Sequence, residues 1–136
     1  MHVMVTEARF GDSDRLVQLL RTIGVRVTPC HDRVGYCRVL RPGGHCPLDR
    51  AADQVDLVVD VRDAGTELTA REYGAVCGVR ARRPVWIVSP DLDTPTAAPA
   101  ALRDNVTVVS EQELLTMCQR RNRATAGSLL GPQARC

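Results

Sequence analysis

Three cysteines lie within 17 residues of one another, Cys30, Cys37 and Cys46, and a fourth, Cys77, follows well downstream. Thiolates that converge hold zinc or an iron–sulfur cluster. Structural zinc sites commonly use short knuckles with two to four residues between cysteines. None occurs here: six residues separate Cys30 from Cys37, and eight separate Cys37 from Cys46. Wide spacing and the Cys46-Pro47 pair point first to an iron–sulfur cluster and second to zinc, with Cys30, Cys37, Cys46 and Cys77 as ligands. His31 and His45 could each replace a cysteine. The competing reading has no metal, with Cys30 and Cys77 as small buried hydrophobes and Cys37 and Cys46 as loop thiols. Cys118 follows Leu114 and Leu115 at helical spacing and reads as core, while Cys136 is an exposed terminal thiol.

The second set of reactive side chains is acidic. Asp60 ends the most apolar run of the chain, a place from which a carboxylate points into a ligand crevice. Glu72 closes the capping box Thr69-Ala70-Arg71-Glu72, where the helix dipole and unpaired amides favour an anion.

The elements that must position these groups follow from periodicity. Residues 2–6 form a short apolar strand, and residues 13–23 carry the stripe Leu16, Val17, Leu19, Leu20 and Ile23 of a helix between Asp12 and Gly24. A strand over 25–28 completes a β-α-β opening, the usual start of a parallel sheet. From 30 to 54 the pattern disappears, apart from one helical turn expected near 49–53. A stretch of about 25 residues without structure needs something to order it, and the three cysteines could do so. Residues 55–61 read as a central strand covered on both faces. A helix over 70–82 follows, with Cys77 expected on its inward stripe seven residues after Ala70. Strands at 85–88 and 106–109, a loop between them, and a last helix opened by the capping box Ser110-Glu111-Gln112-Glu113 and ending near 121 complete the pattern. Residues 122–136 read as a flexible tail after one domain over 1–121.

Right-handed crossovers turn this order into a single doubly wound, flavodoxin-like α/β domain. Its five-stranded parallel sheet has the expected order 2-1-3-4-5, and the cysteine-bearing loop replaces the crossover helix between strands two and three. In that order the loop and the helix of Cys77 cover the same face, so their thiols can meet.

Composition bounds the function. The 136 residues carry 44% hydrophobic and 25% charged side chains, the mix of one globular domain. Every basic side chain is arginine, which excludes lysine Schiff bases and a phosphate-loop lysine. No apolar run approaches the ~20 residues that span a bilayer, and residues 1–8 read as a strand rather than a signal segment. The expected compartment is the cytoplasm, where cysteines serve as thiols or metal ligands more than as disulfides. A net charge of +2 and no helix-turn-helix pattern argue against nucleic acid. Arginines at 80, 82 and 83 and at 120, 121 and 123 close helices, where the dipole favours cations. A protein partner stays open, and neither membrane nor dinucleotide is indicated, since no G-x-G-x-x-G follows the first strand.

Two families are resembled in part. Asp56-Leu57-Val58-Val59-Asp60 resembles the third strand of response-regulator receiver domains, with Asp60 at the phosphate-acceptor position and Ser89 at that of a hydroxyl residue. Ser110 stands where receivers place a lysine, and only Glu7 precedes Asp12 where they place an acidic pair. The resemblance therefore implies the fold without phosphotransfer. Residues 56–89 are similar to nucleoside 2-deoxyribosyltransferases and related nucleotide hydrolases, through an Asp, a glycine-containing loop and Glu72-Tyr73-Gly74-Ala75 at a helix start. That likeness implies Glu72 as nucleophile beside Asp60. The chain also resembles small cysteine-containing α/β proteins of high-GC bacteria, which implies no activity.

The leading expectation is a metal-binding domain, with an iron–sulfur cluster in a redox- or iron-sensing role. The alternatives are a nucleotide-processing enzyme using Asp60 and Glu72, and an interaction domain with structural zinc.

Overall fold

A computed structural model describes residues 1–32 and 34–128. Its strands are β1 (His2–Glu7), β2 (Arg26–Pro29), β3 (Leu57–Val61), β4 (Val85–Val88) and β5 (Thr107–Val108). All pair in parallel, in the order β2-β1-β3-β4-β5. The helices are α1 (Asp14–Thr22), α2 (Tyr73–Arg80) and α3 (Glu111–Ser128). This is the doubly wound α/β arrangement with the strand order expected from the sequence.

Strand alternation sorts the core into two layers. Val3, Val5, Leu57, Val59 and Val61 meet Leu16, Val17 and Leu20 of α1 and Leu114 and Cys118 of α3. Met4 and Val58 lie in the opposite layer with Ala75 of α2, Cys30 and Val55. Cys118 is fully buried, as its spacing predicts. Among the described residues, the connection from β2 to β3 contains no α-helix, only short 3-10 turns at Arg38–Leu40 and Ala51–Asp53. Leu48 packs from this loop against the same layer as α2, so loop and helix do share a face.

Helix α2 sits unusually close to the sheet because its inward residues are Gly74, Ala75 and Gly78. A Cβ at Gly78 would lie 2.8 Å from a Val58 methyl and 3.0 Å from one of Val85. Cys77 therefore does not occupy the inward stripe; it is exposed on the flank of the helix. The small residues win the inner face because close approach leaves no room there for a larger side chain.

Both capping boxes contribute. Ser110 and Glu113 bond reciprocally at the start of α3. Gly24, at φ +81, ends α1 as expected, although Ser13 rather than Asp12 precedes its first residue. The end of α3 corrects the expected boundary near 121: the helix runs on to Ser128. Asn122 holds it there, accepting from the N-terminal amine at 3.2 Å and donating to Ile23 O at 3.2 Å. The terminal stretch of the expected tail, with Cys136, lies outside the described residues. Among the described residues, no helix is long and apolar enough to cross a membrane.

Candidate metal centre

Cys30 is set by the sheet. Its N–H donates to Val5 O at 2.7 Å, which carries the β1–β2 ladder past Pro29. Its side chain turns into the layer beneath α2, where Gly74 makes room: a Cβ at 74 would lie 2.8 Å from Cys30 Sγ. Cys37 is returned towards this point by a tight turn, and forms an antiparallel bridge with His31. Asp32 organises the turn, accepting from the amides of Val34 and Tyr36 at 3.0 Å each, and Gly35 adopts φ +89.

Cys46 has the most specific surroundings. Pro47 starts a turn in which the Asp49 N–H donates to Cys46 O at 3.1 Å. The amides of Leu48 and Asp49 lie near enough to the Cys46 thiol to favour its anionic form. Cys77 stands one turn after Gly74 on α2.

The four thiols share one electrostatic neighbourhood. Burial pushes the Cys30 thiol up to about 12, helped by the charges of Cys37, Cys77 and Cys46 and opposed by Arg38. Burial raises Cys46, with Asp49 and Cys37 adding and the two amides opposing. Burial raises Cys77 too, reinforced by Cys46 and Cys37. Burial thus favours the protonated forms of Cys30, Cys46 and Cys77, which makes them poor nucleophiles. Four sulfurs around one zinc lie roughly 4 Å apart, and no three His, Cys, Asp or Glu side chains among the described residues are grouped to hold a metal ion as they stand.

Both histidines have other neighbours. His45 lies 3.3 Å from Asp53 and within reach of Arg50. Burial holds His31 below its usual range, with Arg71 acting in the same direction.

Asp60 and Glu72 also come together, but inside the protein. Both are 0% exposed, and Arg62 beside them is 1% exposed. Arg62 Nε donates to Glu72 Oε1 at 2.6 Å and lies 3.9 Å from Asp60. Its other nitrogens donate to the carbonyls of Gly65, Ala97 and Glu67, so one guanidinium clamps two loops. Glu72 Oε2 accepts from the Thr69 amide at 2.6 Å, the back-reach of the predicted capping box. Neither oxygen of Asp60 accepts a hydrogen bond. Burial first, and Glu72 second, push its carboxyl up to about 9. Asp60 is thus a neutral acid, able to donate to Glu72. At the position where receivers carry a hydroxyl, Ser89 donates to Thr94 O.

The sequence places Arg62 at the carboxyl edge of the sheet but does not disclose its pairing with Glu72. An arginine at a strand end is ordinarily solvated, and its partner stands ten positions on, a spacing that no local motif encodes. No protein-family model and no curated protein matches this chain, so the centre is read from its own geometry.

Proposed function

We propose that the chain is a metal-binding domain whose Cys30, Cys37, Cys46 and Cys77 hold an iron–sulfur cluster, with a redox- or iron-sensing role. One observation carries the reading: Cys30, Cys46 and Cys77, distant in sequence, all lie near enough to Cys37 for its charge to raise their thiols. Cysteine-ligated clusters spread their thiolates over several irons and are tuned by hydrogen bonds to sulfur. When bound, such a cluster supplies electron transfer and sensitivity to oxidants. The chain supplies one fixed ligand on α2, one at the end of the sheet, and two on a loop that lacks a helix of its own. Loss of the group would release the loop first, which couples metal occupancy to shape.

Zinc is less well supported, because a single ion needs the tighter grouping. The nucleotide-processing alternative draws no support from Glu72, whose two oxygens already serve Arg62 and the Thr69 amide away from solvent.

Iron, zinc and acid-labile sulfide content with a visible spectrum, taken after anaerobic purification, test the proposal. Iron and sulfide in similar amounts, reduced by Cys→Ser at each of the four positions and unaffected by Cys118→Ser, are expected. A colourless protein without iron, sulfide or zinc overturns it.

A further inference from the structure

The loop that carries Cys37 and Cys46 also walls a cavity of about 390 Å³, bordered by Arg26, Arg38, Arg41, Gly43, His45 and Asp53. A second hollow of about 370 Å³ is bordered by Arg38 and Arg41 as well. The lining is cationic, with three arginines facing one aspartate. Asp53 is divided between Arg26 at 3.1 Å and His45 at 3.3 Å. Arg41 approaches Oδ2 of Asp32 at 3.5 Å, while Oδ1 accepts from two backbone amides. Among the described residues no carboxylate pairs with Arg38. Its Nε donates to Pro29 O at 2.6 Å, which fixes the guanidinium plane and leaves its two amino groups for another acceptor.

These features select a ligand class. Guanidinium groups match carboxylate and phosphate by bidentate hydrogen bonding. Within the lining the positive excess is two charges, the complement of a phosphomonoester, which carries about −1.5 to −2 at neutral pH. The volume falls at the small end of the ~300–1,000 Å³ typical of small-molecule sites, larger than a lone carboxylate needs. The wall is tied to the cationic group itself: a Cβ at Gly44 would lie 1.9 Å from Arg38 O, so the turn through Pro42 and Gly43 presses directly on Arg38.

We propose that this cavity binds a phosphorylated small molecule through Arg26, Arg38 and Arg41, and that its occupancy is coupled to the cysteine centre through the shared loop. Arg38 directly follows Cys37, and His45 directly precedes Cys46. A group that fixes those cysteines fixes the arginine cluster, and by reciprocity a bound phosphate strengthens the hold on the group. The coupling rests on the metal-centre reading; the anion site does not.

The test is calorimetric titration of the anaerobically purified full chain with inorganic phosphate at low salt. One site is expected, weakened about tenfold or more by Arg41→Gln or Arg26→Gln and unchanged by Arg83→Gln, which lies outside the cavity. Arg38→Gln should weaken it further, but it also removes the bond to Pro29, so the other two variants decide. No heat at millimolar phosphate, or equal affinity in all variants, overturns the anion site. After chelator treatment the affinity should fall several-fold; an unchanged affinity overturns the coupling while the anion site stands. If the purified chain carries no metal, the metal-centre reading fails, and the arginine variants still decide the anion site.

Discussion

An aspartate at position 60 is buried without a hydrogen-bond donor to either oxygen, next to a glutamate that is ion-paired. Burial and Glu72 raise its pKa to about 9, against roughly 3.9 in an unfolded chain. Between those values the folded state binds a proton that the unfolded state does not. The contribution of Asp60 to stability is therefore full below about pH 4 and is lost as pH rises towards 9. Asp60→Asn supplies a permanent donor of the same shape and removes this titration. The variant should melt a few degrees above the parent at pH 8 and near it at about pH 4; melting below the parent at both would show that Asp60 is charged in the fold. Glu72→Gln acts in the opposite direction, since it takes away the carboxylate 2.6 Å from a buried guanidinium. Breaking a buried pair costs about 3–5 kcal/mol. The observed loss in urea unfolding should fall at or below the lower end, because Asp60, 3.9 Å from Arg62, can then ionise in its place. A loss within about 0.5 kcal/mol, the scale of an uneventful surface change, would mean that the Arg62 cluster is not the clamp described.

At the scale of elements, α2 is where packing and the candidate centre meet. Its glycines let the helix backbone rest on Val58, Val85 and Cys30. Overpacking such a contact costs about 1–3 kcal/mol. Gly78→Ala and Gly74→Ala should each destabilise by that order, measured by chemical denaturation, but only Gly74→Ala pushes on a proposed ligand and should also lower iron content. If both variants keep full iron, Gly74 matters to the fold alone. This helix also marks how much the sequence disclosed. Parallel strands of Val, Leu and Ile, the two capping boxes and the aperiodic loop are local signals, and they placed the sheet and the shared face of loop and α2 correctly. Which face of α2 turns inward was not legible: Ala70, Tyr73 and Cys77 have helical spacing, yet the small residues win the inner face because the approach is so close. The end of α3 escaped for a similar reason, since Asn122 is held by the N-terminal amine and by Ile23 O, 121 and 99 positions away respectively, which no local pattern encodes. Glu72 was legible as a cap and illegible as the partner of Arg62.

For the molecule as a whole, stability is unevenly distributed. The sheet is closed on both faces by buried aliphatic layers, whereas the loop from Cys30 to Gln54 reaches the core only at a few points, Cys30 and Leu48 among them. Its middle leaves apolar side chains in water, with Val34 76% and Leu40 71% exposed. Hydrophobic burial cannot hold such a segment; the Asp32 turn holds one end of it, and the proposed cysteine-ligated group would hold the rest. Segments with few buried contacts open locally at free energies far below global unfolding. A bound group that recognises only the closed loop adds its binding free energy to that local opening. Trypsin provides a direct reading, because Arg38 and Arg50 both lie in the loop and neither precedes a proline. Removal of metal by a chelator under anaerobic conditions should speed cleavage at these two sites about tenfold or more, a local loss of about 1.4 kcal/mol, while amide exchange in β1 and β3 stays slow. Equal cleavage rates before and after removal of bound metal would show that the loop is ordered without it, and metal occupancy would then have no change of shape to report.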